Sequence, residues 1–153
     1  MTCLLLIAHS PSPNLQAMEA EVCDGARLLG SDGIRLRQLP PLSATAADVL
    51  AADAVILGTP ENLGYMSGAL KDFFDRSYYG LLDRTDALPF AYYVRAGQDG
   101  TGTRRAIESI CGGLKWKLVQ PPLICRGQWQ AAFLKDCREL GQAMAAGLDA
   151  GIF

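Results

Sequence analysis

Apolar residues fall into five short runs that alternate with longer amphipathic stretches. The runs with the strongest β character are Cys3–Ala8, Ile34–Leu39, Ala54–Gly58, Phe90–Arg95 and Leu118–Cys125. The first, third and fourth are almost continuously apolar, which is typical of parallel strands with helices on both faces. The second run alternates, with Arg35 and Arg37 on the face opposite Leu36, and this pattern predicts an exposed edge strand.

Helical periodicity fills the gaps between these runs. Four predicted helices carry apolar stripes: Leu15, Met18, Val22, Ala26 and Leu29; Leu70, Phe73, Phe74, Ser77 and Leu81; Ile107, Ile110 and Leu114; and Leu134, Cys137, Gly141, Met144 and Leu148. A fifth, short helix is predicted from Thr45 to Leu50, with Thr45 as its cap and Asp48 three positions on. Gly30 is a predicted C-terminal cap of the first helix. The fifth strand contains Pro121 and Pro122, which cannot donate ladder hydrogen bonds, so we expect it at an edge or starting after the prolines.

A strand followed by a helix, five times over 153 residues, predicts one three-layer α/β domain covering residues 1–153. With strands two and five at the edges, the five-stranded parallel sheet has the order 2-1-3-4-5 and right-handed crossovers. A Rossmann dinucleotide domain is the rival architecture, but its glycine-rich first turn is missing, because residues 9–14 contain no glycine. A receiver domain needs acidic residues after strands one and three, and His9-Ser10 and Gly58-Thr59 supply none.

Composition narrows the class of protein. The formal charge is −2 and no basic stripe is present, which argues against nucleic acid or an anionic membrane as the main partner. No segment reaches the roughly 18–20 apolar residues of a membrane helix, and the apolar stretch at Leu4–Ile7 lacks the preceding positive charge of a signal peptide. The five cysteines are odd in number and have no CxxC spacing, so we expect free buried thiols in a reducing cytoplasm rather than a disulfide framework or a zinc site.

The loop after the first strand has the features of an anion site. Ligands of open α/β sheets bind at the carboxyl ends of the strands, near the point where the strand order reverses. Ser12 followed by Pro13 is a strong helix start, and a helix N-terminus offers free N–H groups to which Ser10, Ser12 and Asn14 add donors. No Lys or Arg occurs between Met1 and Gly25, so a phosphate here would rest on neutral donors. An ordinary capped helix is the alternative interpretation.

Two further loops have the composition of a site for a flat ring. The segment Gly58–Gly68 combines glycines with a rigid Pro60, an apolar Leu63 and an aromatic Tyr65. Such a loop offers backbone N–H groups to the polar edge of a ring such as isoalloxazine and an apolar surface to its face. The segment Ala96–Thr103 contains three glycines separated by polar residues and could line the pyrimidine side of such a ring. A plain surface loop and a mobile turn remain the respective alternatives.

These residues resemble the flavodoxin and NADPH-dependent FMN reductase superfamily, and short bacterial flavodoxin-family proteins most of all. The stretch from Gly58 to Asp75 is similar to the flavin loop and following helix, Val94–Gly102 to the second ring-binding loop, and Ser10–Asn14 takes the place of the phosphate loop. The element order extends the resemblance over nearly the whole chain, and it implies a flavodoxin-like fold with bound FMN. The implied cofactor-binding residues are Ser10, Ser12, Asn14, Leu15, Pro60, Glu61, Asn62, Leu63, Gly64, Tyr65, Met66, Ala96, Gly97, Gln98 and Gly100.

The chain departs from the superfamily's pattern in two places. The usual phosphate loop contains a glycine and a final Thr or Ser, whereas Leu15 and Gln16 stand where those hydroxyl groups are expected. Fewer side-chain donors imply weaker binding of FMN. The long insertion that splits the fifth strand in long-chain flavodoxins is missing, which implies a short-chain form.

The resemblance implies an FMN-dependent oxidoreductase that uses NADPH or NADH and reduces a quinone or a similar small acceptor. The chain has 16 acidic against 14 basic residues, and this near-neutral charge disfavours an electron carrier with a strongly acidic docking face. Of the arginines near the loops (Arg76, Arg84, Arg95, Arg104 and Arg105), the last two could attract the phosphates of a dinucleotide or be solvated surface. A one-electron carrier and a flavin-free binding module remain alternatives.

Hydride transfer to or from a flavin requires no catalytic triad, and we predict no catalytic side chain and no metal ligand. His9 is the only histidine, and we expect it to play a structural role, bonded to backbone near the first loop, rather than to donate a proton. Tyr78, Tyr79, Leu81 and Leu82 form a cluster that could bury a homodimer or tetramer surface, although core packing explains some of them equally well.

Overall fold

A parallel β-sheet forms the middle layer of the protein. The computed structural model describes residues 1–28 and 33–153. The strands are β1 (Thr2–Ala8), β2 (Ile34–Leu39), β3 (Ala54–Asn62), β4 (Tyr65–Met66), β5 (Pro89–Ala96), β6 (Lys117–Leu118) and β7 (Leu123–Arg126). The helices are α1 (Pro13–Ala26), α2 (Ala46–Leu50), α3 (Gly68–Leu81), α4 (Thr101–Gly113) and α5 (Ala132–Asp149). The predicted end of the first helix at Leu29 and its cap Gly30 lie outside the described residues.

The order of the strands across the sheet is β2-β1-β3-β5-β6, with β7 also parallel to β5. Because predicted strands four and five correspond to β5 and its edge partners, the predicted order 2-1-3-4-5 and the α/β class are confirmed. The main path of the sheet has the predicted five strands, and the two short strands β4 and β7 bring the total to seven. The fifth run is divided into β6 and β7 because Pro121 and Pro122 lie between them and cannot donate ladder hydrogen bonds. The short antiparallel strand β4, which pairs with β3, was not predicted.

The sheet buries an apolar core on each face. Leu4 and Leu6 of β1 point toward α1 and α5, while Leu5 and Ile7 point toward α2, α3 and α4. Burial on both faces explains why the sequence of β1 is continuously apolar. The edge strand β2 buries only Ile34 fully, which agrees with its alternating sequence.

Helices α1 and α5 pack so closely that their backbones are in contact. A Cβ atom at Gly141 would lie 2.0 Å from the carbonyl oxygen of Val22, and one at Gly25 would lie 1.9 Å from that of Arg138. Only glycine permits this approach, so both residues are required for the packing of this layer.

All five cysteines belong to the described residues, and each is buried with a free thiol, as the sequence predicts. Within the ranges 1–28 and 33–153, no helix is both long and apolar enough to cross a membrane.

Candidate functional site

The three loops that the sequence analysis singled out are neighbours at one edge of the sheet. They follow β1, β3 and β5, which are adjacent strands running in the same direction. Their carboxyl ends therefore meet, and the chain forms a composite surface from segments that are far apart in sequence.

The second loop is a β-hairpin rather than an irregular segment. Strand β3 continues past Gly58 to Asn62, which pairs with Tyr65 of β4 across a two-residue turn. Both turn residues have positive φ, 53° at Leu63 and 73° at Gly64, which is the geometry of a type I′ turn. Leu63 is a bulky residue in a left-handed conformation, and it is fully exposed. The hairpin thus holds an apolar side chain out of the core at an energetic cost.

Buried polar groups fix the base of this hairpin. The hydroxyl oxygen of Thr59 accepts a hydrogen bond from the backbone N–H of Ser67 at 3.0 Å, and the hydroxyl of Ser67 caps α3 by accepting from Leu70 N–H at 3.2 Å. At the other end, the first turn of α4 packs against the hairpin, because a Cβ atom at Gly102 would lie 2.0 Å from the carbonyl oxygen of Gly64. The turn is therefore held from both sides.

Glu61 connects the second loop to the third. One of its carboxylate oxygens accepts a hydrogen bond from Gln98 N–H and the other from Gly100 N–H, each at 2.9 Å. A cavity of about 530 Å³ lies beside this contact and is lined by Glu61, Leu63, Gly64, Gly97 and Gln98. Its volume is within the range of small-molecule sites.

We expect the substitution Glu61→Ala to release the third loop. Loss of both carboxylate contacts should speed amide hydrogen exchange at Gln98 and Gly100 by roughly tenfold or more, since a hydrogen bond to a charged group contributes about 1.5–3 kcal/mol. NMR-detected exchange on the ligand-free protein measures this. The neighbouring change Asn62→Ala is the control and should leave both amides unchanged. Unaltered exchange in Glu61→Ala would mean that other contacts hold the loop.

The third loop is also fixed on the side away from Glu61. Asp99 accepts a hydrogen bond from Thr101 N–H at 2.9 Å at the start of α4, and this contact lowers the pKa of its carboxyl group. The guanidinium group of Arg126 donates to the carbonyl oxygen of Asp99 at 2.6 Å. The loop is therefore ordered by its own contacts and not a free turn.

The first loop starts α1 as predicted, but a carboxylate takes up one of its donors. Ser12 caps the helix by accepting from Leu15 N–H at 3.3 Å, and Pro13 is the first helical residue. The hydroxyl of Ser10 donates to Glu19 at 2.5 Å, and the side-chain amide of Gln38 donates to the other carboxylate oxygen of Glu19. A cavity of about 460 Å³ at this place is lined by Ala8, His9, Ser10, Pro11, Gln16, Glu19, Gln38 and Pro40.

Two buried polar atoms near the first loop have no hydrogen-bond partner within residues 1–28 and 33–153. The backbone N–H of His9 donates to Gly58 at 3.0 Å, but its ring atom Nδ1 has no hydrogen-bond partner in the described part of the chain. The expected bond from this imidazole to the backbone is therefore not formed at Nδ1. The Tyr93 hydroxyl is also buried without a partner among these residues, and burial, with a contribution from Glu19, raises the pKa of Tyr93.

The structure brings part of the predicted site together. Glu61, Leu63, Gly64, Gly97 and Gln98 line one cavity, and Ser10 lines the other. Of the remaining predicted residues, Asn14, Asn62 and Tyr65 are exposed and Ser12 is half-buried. Gly100 is buried at the position just before α4. The last four have buried side chains: Leu15, Pro60, Met66 and Ala96. That last group offers a ligand only its backbone. The assignment of these residues to cofactor binding stays a prediction.

Four residues that line the cavity of the first loop were not predicted as site residues: Gln16, Glu19, Gln38 and Pro40. Helical side chains lean toward the N-terminus of their helix. Glu19 lies one turn after Leu15, so this lean directs its carboxylate toward the loop. That signal was available in the sequence. The contribution of Gln38 required knowledge that β2 pairs with β1.

The arginines near the site mostly hold the fold together. Arg95 donates to the carbonyl oxygens of Cys125 and Gly127 at 3.0 and 2.7 Å, and Arg104 pairs with Glu108 at 3.0 Å on the exposed face of α4. Arg84 follows the end of α3, at the amino ends of the strands, so its predicted place beside the ring loops is wrong. Arg76 ties α3 to the segment before α2 through Pro41 and Ala44.

Comparison with known proteins places the chain in a family. Residues 16–125 match the sequence profile of the family described as NADPH-dependent FMN reductase. The chain belongs to this family. The matched range begins just after the first loop and includes both the hairpin and the third loop.

Relatives and solved structures agree with this assignment. The chain is 33% identical to a flavodoxin of Aquifex aeolicus, over 70% of this chain and 57% of that protein. It is 30% identical to NAD(P)H dehydrogenase (quinone) 3 of Rhizobium meliloti, over 50% of this chain and 44% of that protein. The matches thus span about half the length of these relatives. The structure of a flavodoxin from the domain Archaea superimposes with a TM-score of 0.80 at 16% identity, over 96% of this chain and 99% of that one, which shows a shared fold.

Proposed function

We propose that the protein binds FMN, with the isoalloxazine ring in the cavity between the Leu63 hairpin and the third loop, and acts as an NAD(P)H-dependent oxidoreductase on a quinone or similar small acceptor. The observation that carries this proposal is the fully exposed Leu63, held in a left-handed conformation beside a cavity of about 530 Å³. An apolar side chain kept out of the core at such a cost fits a site where an apolar surface completes its burial.

The residues present fit the ring of FMN. Leu63 supplies an apolar surface, while Gly64 and Gly97 bring backbone polar groups close to the cavity; the backbone N–H of Gln98 is already engaged by Glu61. Gly64 has no side chain, so its backbone can approach a ligand directly. At the first loop, the N-terminus of α1 provides an anion-binding end for the phosphate group, although Ser10 is engaged by Glu19.

Bound FMN would supply hydride and electron transfer. The chain's own contribution is to bind and orient. The Thr59 and Ser67 contacts fix the position of the hairpin, and Glu61 sets the spacing between the two loops. Leu63 would cover part of a bound ring and exclude water from it. The relatives named for quinone dehydrogenase activity support a quinone or similar small molecule as acceptor.

A one-electron carrier is the second candidate, supported by the similarity to the Aquifex aeolicus flavodoxin. The formal charge of −2 provides little of the acidic surface that would dock a basic protein partner, and for this reason we favour the reductase.

Titration of FMN into the apoprotein, followed by anaerobic addition of NADPH or NADH, tests the proposal. We expect quenching of flavin fluorescence at low micromolar FMN and rapid bleaching of the flavin absorbance, with free FMN and reductant as the control. Binding without bleaching would instead favour the electron carrier. Absence of quenching at FMN concentrations up to about 10 μM, corresponding to an affinity weaker than roughly −7 kcal/mol, would refute flavin binding.

Three further aspects of the proposal concern the chain as a whole. We propose that residues 1–153 act as one flavodoxin-like domain, that the protein works in the reducing cytoplasm to which five buried free thiols are suited, and that it assembles as a homodimer or tetramer. Tyr79, which is 84% exposed on α3, supports the last of these as a candidate contact.

A further inference from the structure

We propose that Glu19 is a specificity-determining residue that weakens binding of the FMN phosphate, so that this protein distinguishes poorly between FMN and riboflavin. The inference rests on the proposed function, because it concerns the end of the flavin site formed by the first loop. Glu19 would lower the affinity for the FMN phosphate, whereas a residue that binds the phosphate would raise it.

The position of the Glu19 carboxylate is the first observation. It lines the cavity of the first loop together with Ser10 and Gln38, and it accepts hydrogen bonds from both of them. Pro11, which lies just before the cap of α1, and Gln16, in the first turns of that helix, line the same cavity, so it adjoins the helix end where a phosphate group would bind. A phosphate at this end of α1 would therefore lie close to the carboxylate.

The charge of Glu19 is the second observation. Its two hydrogen-bond partners, a hydroxyl and an amide, are neutral, and no ion-pair partner of Glu19 is found among the residues that the structure describes. The sequence from Met1 to Gly25 also contains no Lys or Arg. A phosphate monoester carries a charge of about −1.5 to −2 near neutral pH, and like charges in a partly buried site repel.

The third observation is that Glu19 already engages hydrogen-bond donors of this cavity. The Ser10 hydroxyl has a single O–H donor, and this donor makes its hydrogen bond to Glu19. Gln38 likewise directs its amide group at the carboxylate. A phosphate in this cavity thus meets a negative charge and finds the Ser10 hydroxyl and one of the two N–H groups of the Gln38 amide already engaged. The uncharged ribityl end of riboflavin avoids the repulsion, and its hydroxyl groups are able to donate to a carboxylate.

The substitution Glu19→Gln tests this inference with two ligands. Dissociation constants of FMN and riboflavin are measured by fluorescence quenching on the wild type and the variant at low salt. We expect the variant to bind FMN roughly tenfold more tightly, equivalent to about 1.4 kcal/mol, and riboflavin within roughly twofold of the wild type. The FMN gain should shrink as salt is added, because salt screens charge repulsion.

Two further variants test whether the change in FMN affinity comes from the local charge of Glu19 and from its hold on the Ser10 hydroxyl. Asp24→Asn removes one negative charge from an exposed position on the same helix, and it should change neither affinity by more than about twofold if the effect is local. Ser10→Ala should cost little FMN affinity in the wild type, where Glu19 holds the hydroxyl, but several-fold in the Glu19→Gln background, where the hydroxyl is released for the phosphate. Unfolding midpoints confirm that each variant is folded.

The outcomes are distinguishable. Equal shifts for FMN and riboflavin, or weaker FMN binding by the variant, would overturn the role of Glu19 while leaving flavin binding intact. An FMN affinity far above that for riboflavin in the wild type would also overturn it. Failure of both flavins to bind either protein would refute the proposed function itself, and this inference with it.

Discussion

Replacing Gly141 with alanine is expected to lower the free energy of unfolding by about 2–3 kcal/mol, although a glycine-to-alanine change inside an ordinary helix stabilises. The new Cβ atom would lie 2.0 Å from the carbonyl oxygen of Val22 and 3.0 Å from the backbone nitrogen of Ala26. Both are backbone atoms of α1, so no rotation of a side chain relieves the clash. Helices α1 and α5 must separate, and the apolar layer between them loses its packing.

Gly112 of α4 is the matched control for this prediction. It is also a helical glycine, but among the described residues outside its own helix backbone a Cβ atom there would have no heavy atom within 4 Å. Gly112→Ala should therefore raise the free energy of unfolding by about 0.5–1 kcal/mol through helix propensity alone. Urea denaturation of the two variants and the wild type measures both changes. A Gly141→Ala protein as stable as the wild type would show that α1 and α5 are not in backbone contact in solution.

The sheet was predictable because its inner strands are buried on both faces. A strand in that position must be apolar at every residue, as β1 is, and this leaves a signal that periodicity detects. Edge strands are buried less completely, so their sequences show a weaker apolar pattern. The division of the fifth run at Pro121 could be foreseen as one of two possibilities, but its first part, Lys117–Leu118, pairs with β5 through a contact that only the folded chain determines.

The candidate site was predictable in its location and less so in its geometry. The rule that ligands bind at the carboxyl ends of parallel strands identified the three loops. The hairpin was missed because type I′ turns are usually signalled by Asn-Gly or Asp-Gly, whereas this turn has Leu63 at its first central position. The link from Glu61 to the third loop joins residues 37 and 39 positions apart, and no local pattern encodes it.

The same Leu63 provides the prediction with the largest expected effect on function. In Leu63→Gly, the left-handed backbone no longer strains a side chain, so the ligand-free protein should become more stable by about 0.5–1 kcal/mol. Flavin binding should change in the opposite direction. Burying a leucine side chain contributes about 1.5–3 kcal/mol, so its loss should weaken the affinity for FMN by roughly tenfold or more. Urea denaturation without flavin and fluorescence titration with FMN give the two values.

Ala87→Gly is the control, because it relieves backbone strain at a residue far from the cavity. Ala87 also has a positive φ, 63°, but it precedes β5 at the amino ends of the strands, at the edge opposite the three loops. Its replacement should stabilise the protein by a similar amount and leave FMN affinity unchanged. If Leu63→Gly gained stability without losing affinity, Leu63 would be an unfavourable turn residue with no ligand to bind. A gain in stability together with a loss of FMN affinity in Leu63→Gly, but not in Ala87→Gly, would show that the hairpin presents an apolar surface to the flavin at a cost in folding stability.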